Sequence, residues 1–177
     1  TEAKAQGLDP DPKMIARAAA FLEQNRVGNL AAFHYGTTME HLFSEENRHS
    51  SSMRSPLCEL ALHSAGAAKD TKRLHEALDL FFAHTDDVRA TTKIYESWFD
   101  ATVLHDAYHF YFGCWYAARA LRAAGGPKMK PLAERLRNTI LATREVDGSF
   151  VDAQMQGKSA STAMALLALG ELEEALK

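Results

Sequence analysis

His105 and His109 stand four residues apart in His105-Asp106-x-x-His109, a spacing that puts two imidazoles on one face of a helix, where they could hold a zinc ion. Asp106 follows the first histidine where a zinc protease carries Glu, and no third ligand is evident. The pair is therefore read as capping or core-polar histidines, and no metal is assigned. The same segment holds the most aromatic stretch of the chain, with Tyr108, Phe110, Tyr111, Phe112, Trp115 and Tyr116 within nine positions. Tyr108, Tyr111 and Trp115 follow i, i+3, i+7, and Phe112 neighbours that face. With His105 and His109 they form the candidate lining of an apolar cavity for a lipid or other apolar small molecule. Ordinary core packing of the aromatics is the other reading. His34, His41, His49, His63, His75 and His84 are scattered with no common spacing. Asp86-Asp87 reads as a solvated helix end, and Asp147-Gly148, with Asp152 beyond it, as a turn. No Ser-His-Asp order and no phosphate-binding glycine loop is seen, so neither a catalytic residue nor a cofactor is assigned.

These residues need helices to position them. Residues 1–12, with Gly7, Pro10 and Pro12, read as a loose N-terminal arm, and 13–177 as a single domain. Pro12 can open a first helix in which Met14, Ala18, Phe21 and Leu22 recur at helical spacing, ending near Asn25. Leu30 to Phe43 suggests a second helix, and the polar SEENRHSSS that follows a loop. Pro56 then opens a mostly buried helix that stops at Gly66. Asp70 or Thr71 caps the next, with Leu74, Leu78, Phe81 and Phe82 as its apolar stripe and an end near residues 84–87. Residues 88–103 read as a short helix or a packed loop. The aromatic helix runs from about His105 to Ala124, where Gly125-Gly126 and Pro127 end it. Helix 128–144 turns Leu132, Leu136 and Ile140 inward, and a last helix, capped by Ser159 or Ser161, covers Ala163 to about Leu176 with Gly170 as a candidate interruption.

Three segments share the pattern Ala-Leu-x-x-x-Gly: Ala61 to Gly66, Ala120 to Gly125 and Ala165 to Gly170. After the first two comes a helix with Leu every four residues, Leu74/Leu78 and Leu132/Leu136. The repeating unit is an apolar helix, a glycine stop, an amphipathic helix and a long return, which predicts about three stacked helical hairpins.

The segment from Tyr108 to Leu169 resembles a repeat of the terpenoid cyclase and protein prenyltransferase superfamily, the α/α toroid. The aromatic YHFYFGCWYAARAL, Gly125-Gly126, the spaced Leu132/Leu136/Ile140, the turn DGSF and GKSASTAMALLAL carry the likeness, and the pattern is similar to the QW repeat of squalene cyclases. Arg144 stands where that repeat has Gln and Phe150 where it has Trp. The resemblance implies an all-α fold of stacked hairpins forming part of a toroid, an open half-ring completed by a second copy of itself or by the rest of a larger parent chain. It does not bring the family's catalytic signatures. Asp9-Pro10-Asp11-Pro12 lacks the last acid of the squalene-cyclase motif, and Pro56 and Phe112 occupy the Asp position of a prenyltransferase Asp-x-Cys around Cys58 and Cys114.

Composition narrows the classes further. With 46% hydrophobic and 24% charged residues the chain has an ordinary globular make-up. A net charge of −3 without a basic run gives nucleic acid no electrostatic foothold. No apolar run reaches the roughly 18 residues that span a bilayer. Cys58 and Cys114 are too few for a disulfide framework or a zinc ribbon and read as buried thiols. No signal peptide is visible, and a start at Thr1 is read as the loss of a leader or a larger parent. The compartment stays open, with the cytoplasm favoured. The expected function is a binding or scaffold module with a concave aromatic face; a fragment of an isoprenoid cyclase-like or prenyltransferase-like enzyme is the alternative, and a helical protein-interaction repeat a third.

Overall fold

The computed structural model describes residues 6–34, 48–91, 110–152 and 157–177. Within them the chain is all-helical, with no strand: α1 (Pro12–Gln24), α2 (Arg48–Ser64), α3 (Lys72–Thr91), α4 (Phe110–Ala124), α5 (Met129–Leu141) and α6 (Gly157–Leu176). Helix α4 is central and packs on α2, α3, α5 and α6. Helices α2, α4 and α6 form a row, α2 on α4 and α4 on α6. Helix α3 lies against α2 and α4, and α5 against α4 and α6. Helix α1 packs on α2.

The apolar spacing explains most of this. Leu74, Leu78, Phe81 and Phe82 all enter the core from α3, as do Leu136 and Ile140 from α5, with Leu132 packed against its edge. Gly66 (φ 76°) and Gly125 (φ 60°) close α2 and α4 in the left-handed conformation that glycine adopts without a Cβ penalty. Asp11 accepts the Lys13 N–H at 2.9 Å in front of Pro12, which starts α1. No residue of α1 is fully buried, however, and Met14 and Phe21 of its expected core face are half-exposed.

Several expected boundaries are corrected. Helix α2 starts at Arg48, inside the stretch read as a loop, so Pro56 lies within the helix rather than opening it. Serines suit a buried helix turn when their hydroxyls find backbone partners. Ser55 Oγ donates to the Ser51 carbonyl at 2.7 Å, and Ser51 Oγ accepts the Phe33 N–H at 3.0 Å and donates back to the Phe33 carbonyl at 3.2 Å. The expected helix from residue 30 is not formed over 30–34: Arg26 and Phe33 pair as an isolated antiparallel bridge, and the His34 N–H donates to the Asn25 carbonyl at 2.8 Å. Residues 35–43 of that expectation lie outside the described residues. Helix α3 runs on to Thr91, past the expected end at 84–87, so Asp86 and Asp87 sit on its exposed side rather than at its terminus.

Helix α6 begins at Gly157, before Ser159 and Ser161, and neither serine is its cap. Gly170 lies inside α6 and does not interrupt it. The third Ala-Leu-x-x-x-Gly segment thus departs from the first two. Leu62 and Leu121 are buried, whereas Leu166 is 59% exposed, because α6 turns Ser161, Ala165, Ala168, Leu172 and Ala175 to the core. Both cysteines are free thiols; Cys114 is buried and Cys58 partly so.

Candidate functional site

The aromatic residues of α4 divide into two groups. Phe110 and Tyr111 are fully enclosed. Their rings meet edge to face at 4.9 Å, and Tyr111 meets Phe150 in the same way at 5.7 Å. The Tyr111 hydroxyl donates to Thr143 Oγ1 at 2.8 Å, and Thr143 passes its own proton to the Ile140 carbonyl. Burial pushes the Tyr111 phenol up to about 12, with the Thr143 bond opposing. This group is a satisfied core, and Tyr111 lines no opening.

Phe112, Trp115 and Tyr116 are only partly buried. The Phe112 and Tyr116 rings lie 4.9 Å apart and those of Trp115 and Tyr116 4.8 Å apart. The Arg119 guanidinium stands 5.8 Å from the Tyr116 ring centre and 6.0 Å from that of Trp115, within cation–π range of both. Trp115 and Arg119 are four residues apart, and Arg122 is one turn further, so the face continues as aromatic and then basic. It borders an open groove of about 380 Å³ between α2, α4 and α6, lined by Leu60, Ser64, Arg119, Arg122, Ala123 and Glu171. Arg122 hydrogen-bonds Glu171, while Arg119 Nε stays 4.0 Å from the same carboxylate.

Of the cavity residues expected from sequence, Phe112 and Trp115 are on this partly exposed side and Tyr111 is not. Tyr108, His105 and His109 lie outside the described residues. Among the described residues no group of three or more His, Cys, Asp and Glu side chains is placed to hold a metal. No described helix is long and apolar enough to cross a membrane. Arg119, Arg122 and Glu171 were not singled out by the sequence reading. The signal for the two arginines was present in the i, i+4, i+7 spacing from Trp115; Glu171 comes from another helix and carries none.

Two buried charged groups were also missed. Asp152 follows the Asp147-Gly148 turn, whose own carboxylate accepts the Ser149 N–H at 3.0 Å and meets Lys158 at 2.6 Å. Asp152 is fully buried. Its Oδ2 accepts the Tyr111 N–H at 3.2 Å at the start of α4, its own N–H donates to Ser161 Oγ at 3.1 Å, and its Oδ1 has no partner among the described residues. Burial raises its carboxyl to about 7, against the opposing pull of the Tyr111 and Phe110 amides. Next to Phe33, Glu59 on α2 is fully buried and hydrogen-bonds Arg26, whose guanidinium also lies 4.8 Å from the Phe33 ring centre. Arg26 also reaches Glu23 at 3.0 Å, and Arg73 joins Glu23 at 2.7 Å and Glu59 at 3.4 Å. Two arginines and two glutamates thereby tie α1, α2 and α3 together with balanced charge, and every member answers to a neighbour within the fold. Both features explain structure; only the aromatic and arginine side of α4 opens to a space of ligand size.

Comparisons with protein-family models, with curated proteins and with solved structures find no match to this chain.

Proposed function

We propose that the chain is a binding module that receives an apolar or aromatic small molecule on the partly exposed side of α4. The observation that carries this reading is the position of Arg119, above Trp115 and Tyr116 at one end and in the groove between α2, α4 and α6 at the other. Half-buried aromatic rings beside a concave space supply contact area at little entropic cost, and a nearby arginine adds an orienting charge. The row of α2, α4 and α6, backed by α3 and α5, supports reading the chain as successive hairpins of an α/α toroid, with this surface on the row. The residues that would mark a cyclase acid or a prenyltransferase zinc site are lacking, so a binding role is the stronger reading.

Native mass spectrometry of the purified chain, with equilibrium dialysis against 1-pyrenebutanol, tests the proposal. The expected result is a retained small-molecule adduct or saturable pyrenebutanol binding, weakened about fivefold or more by Trp115→Ala, the size of effect that loss of one stacking ring gives. No adduct together with no dialysis binding, or binding indifferent to Trp115→Ala, overturns it. The same spectrum gives the oligomeric mass and so tests association with a second copy.

A further inference from the structure

The groove at the end of the aromatic surface has a charge pattern of its own. Two guanidiniums, Arg119 and Arg122, and one carboxylate, Glu171, line it, which leaves one positive charge in excess. Glu171 comes from α6 and hydrogen-bonds Arg122 on α4, while its other oxygen, Oε1, lies 4.0 Å from Arg119 Nε, beyond hydrogen-bond reach. The three side chains are partly open to solvent, with Arg122 48% exposed and Arg119 and Glu171 about a quarter exposed. Leu60 and Ala123 supply apolar wall on either side. Arg119 also sits over the Trp115 and Tyr116 rings, so a molecule held at the arginines has its remaining atoms beside aromatic surface.

We propose that Arg119 and Arg122 form an anion site, that Glu171 occupies it as an internal stand-in, and that the ligand is an amphipathic carboxylate with an apolar or aromatic body. A carboxylate matches the planar fork of a guanidinium and can take the Glu171 bond to Arg122 for itself. A single negative charge matches the excess of one, whereas a phosphate-type dianion would overfill it. The competing Glu171 sets the threshold: an incoming carboxylate must displace it, so affinity depends on the apolar body as well as the head. This inference deepens the binding role proposed above and rests on it.

A matched pair of probes separates the two ideas. Equilibrium dialysis at low salt compares 1-pyrenebutanoate with neutral 1-pyrenebutanol on the wild-type chain, Arg122→Gln and Glu171→Gln. Circular dichroism melts confirm that both variants, altered at partly exposed positions, remain folded. The expected result is that the acid binds about threefold to fivefold tighter than the alcohol, a partly screened single charge contact. Arg122→Gln should abolish that preference. Glu171→Gln should enlarge it, because the competitor is gone and the excess charge rises; a merely structural Arg122–Glu171 pair would predict no change or a loss. The preference should shrink at high salt. If the alcohol binds as well as the acid, or Glu171→Gln weakens the acid, the anion site is overturned while the aromatic surface stands. If neither probe binds, both proposals fall.

Discussion

Two sides of α4 carry aromatic residues drawn from the same short stretch, and the fold uses them in opposite ways. Phe110 and Tyr111 are closed in against Phe150, and the one polar atom among them, the Tyr111 hydroxyl, is satisfied by Thr143. Phe112, Trp115 and Tyr116 stay partly open and have Arg119 above them rather than another helix's apolar side chains. The same residue type is core where its ring is enclosed and its polar atom paired, and a candidate contact surface where neither holds. Aromatic content alone locates a helix of interest; enclosure decides which of its rings are free to meet a ligand.

The sharpest break of that comparison is to remove rings from each side in turn. Phe110→Ala or Tyr111→Ala should cost about 3–5 kcal/mol in urea unfolding, the range for emptying a closed aromatic site. Trp115→Ala or Tyr116→Ala should cost no more than about 1–2 kcal/mol, since part of each ring is already in water. Tyr111→Phe keeps the ring and loses only the Thr143 bond, so about 1 kcal/mol is expected. Equal losses on the two sides would mean that the open group is core after all, and the binding proposal would lose its basis.

The enclosed side also holds Asp152, and pH can probe it. Its carboxyl titrates near 7 in the folded chain and near 3.8 when unfolded. Between those values the folded chain keeps a proton that the unfolded chain has released. Unfolding free energy should therefore fall as pH rises from about 4 to about 7 and level off above that. Glu59, also raised by burial, acts in the same direction. Asp152→Asn keeps an acceptor for the Tyr111 N–H and removes the charge, so at pH 8 it should be about 2–3 kcal/mol more stable than wild type, with a flatter profile. An unchanged slope in the variant would show that Asp152 is solvated or paired in the folded chain. Chemical denaturation at several pH values gives the answer, and the open side of α4 should contribute nothing to the slope.

The sequence carried the helical class well, because the stripe of α3 and the inward leucines of α5 are local periodicities that survive packing. It also marked Gly66 and Gly125 as stops. It failed where distant partners decide. Ser51, Ser52 and Ser55 look like loop residues until Phe33 and the helix backbone take up their polar groups. Ser161 looks like a cap until the Asp152 amide reaches it from outside α6. At the site, the run of aromatics was plain, but Tyr111 and Trp115 were assigned to one face. They are only about 40° apart around a helix of 3.6 residues per turn. The edge between core and groove falls between them, and α5, α6 and the 143–150 turn set that edge. Glu171 opposite Arg122 is likewise invisible until α6 is laid beside α4.

Gly113 offers the smallest and most local test, because it sits between Phe112 on the open side and Cys114 on the closed one. A Cβ at Gly113 would meet Met53 Cβ and Sδ at 3.0 Å and the Met53 carbonyl at 3.1 Å. Its φ is not in the left-handed region, so the demand is for space and not for backbone freedom. The missing Cβ lets α4 approach α2 closely and sets the width of the row. Gly113→Ala should then destabilise by about 1–3 kcal/mol, the cost of overpacking, even though alanine favours helix. The Met53 side chain can move, but its carbonyl belongs to α2 and moves only with the helix. Because Leu60 and Ser64 of α2 form one wall of the groove, a shift of α2 should also weaken the probe that binds there. Met53→Ala combined with Gly113→Ala removes the side-chain clash and leaves the carbonyl contact. If the double variant recovers probe binding in full, the side chain alone was the obstacle. If binding stays weak, the backbone spacing of α2 and α4 is what holds the open face in shape.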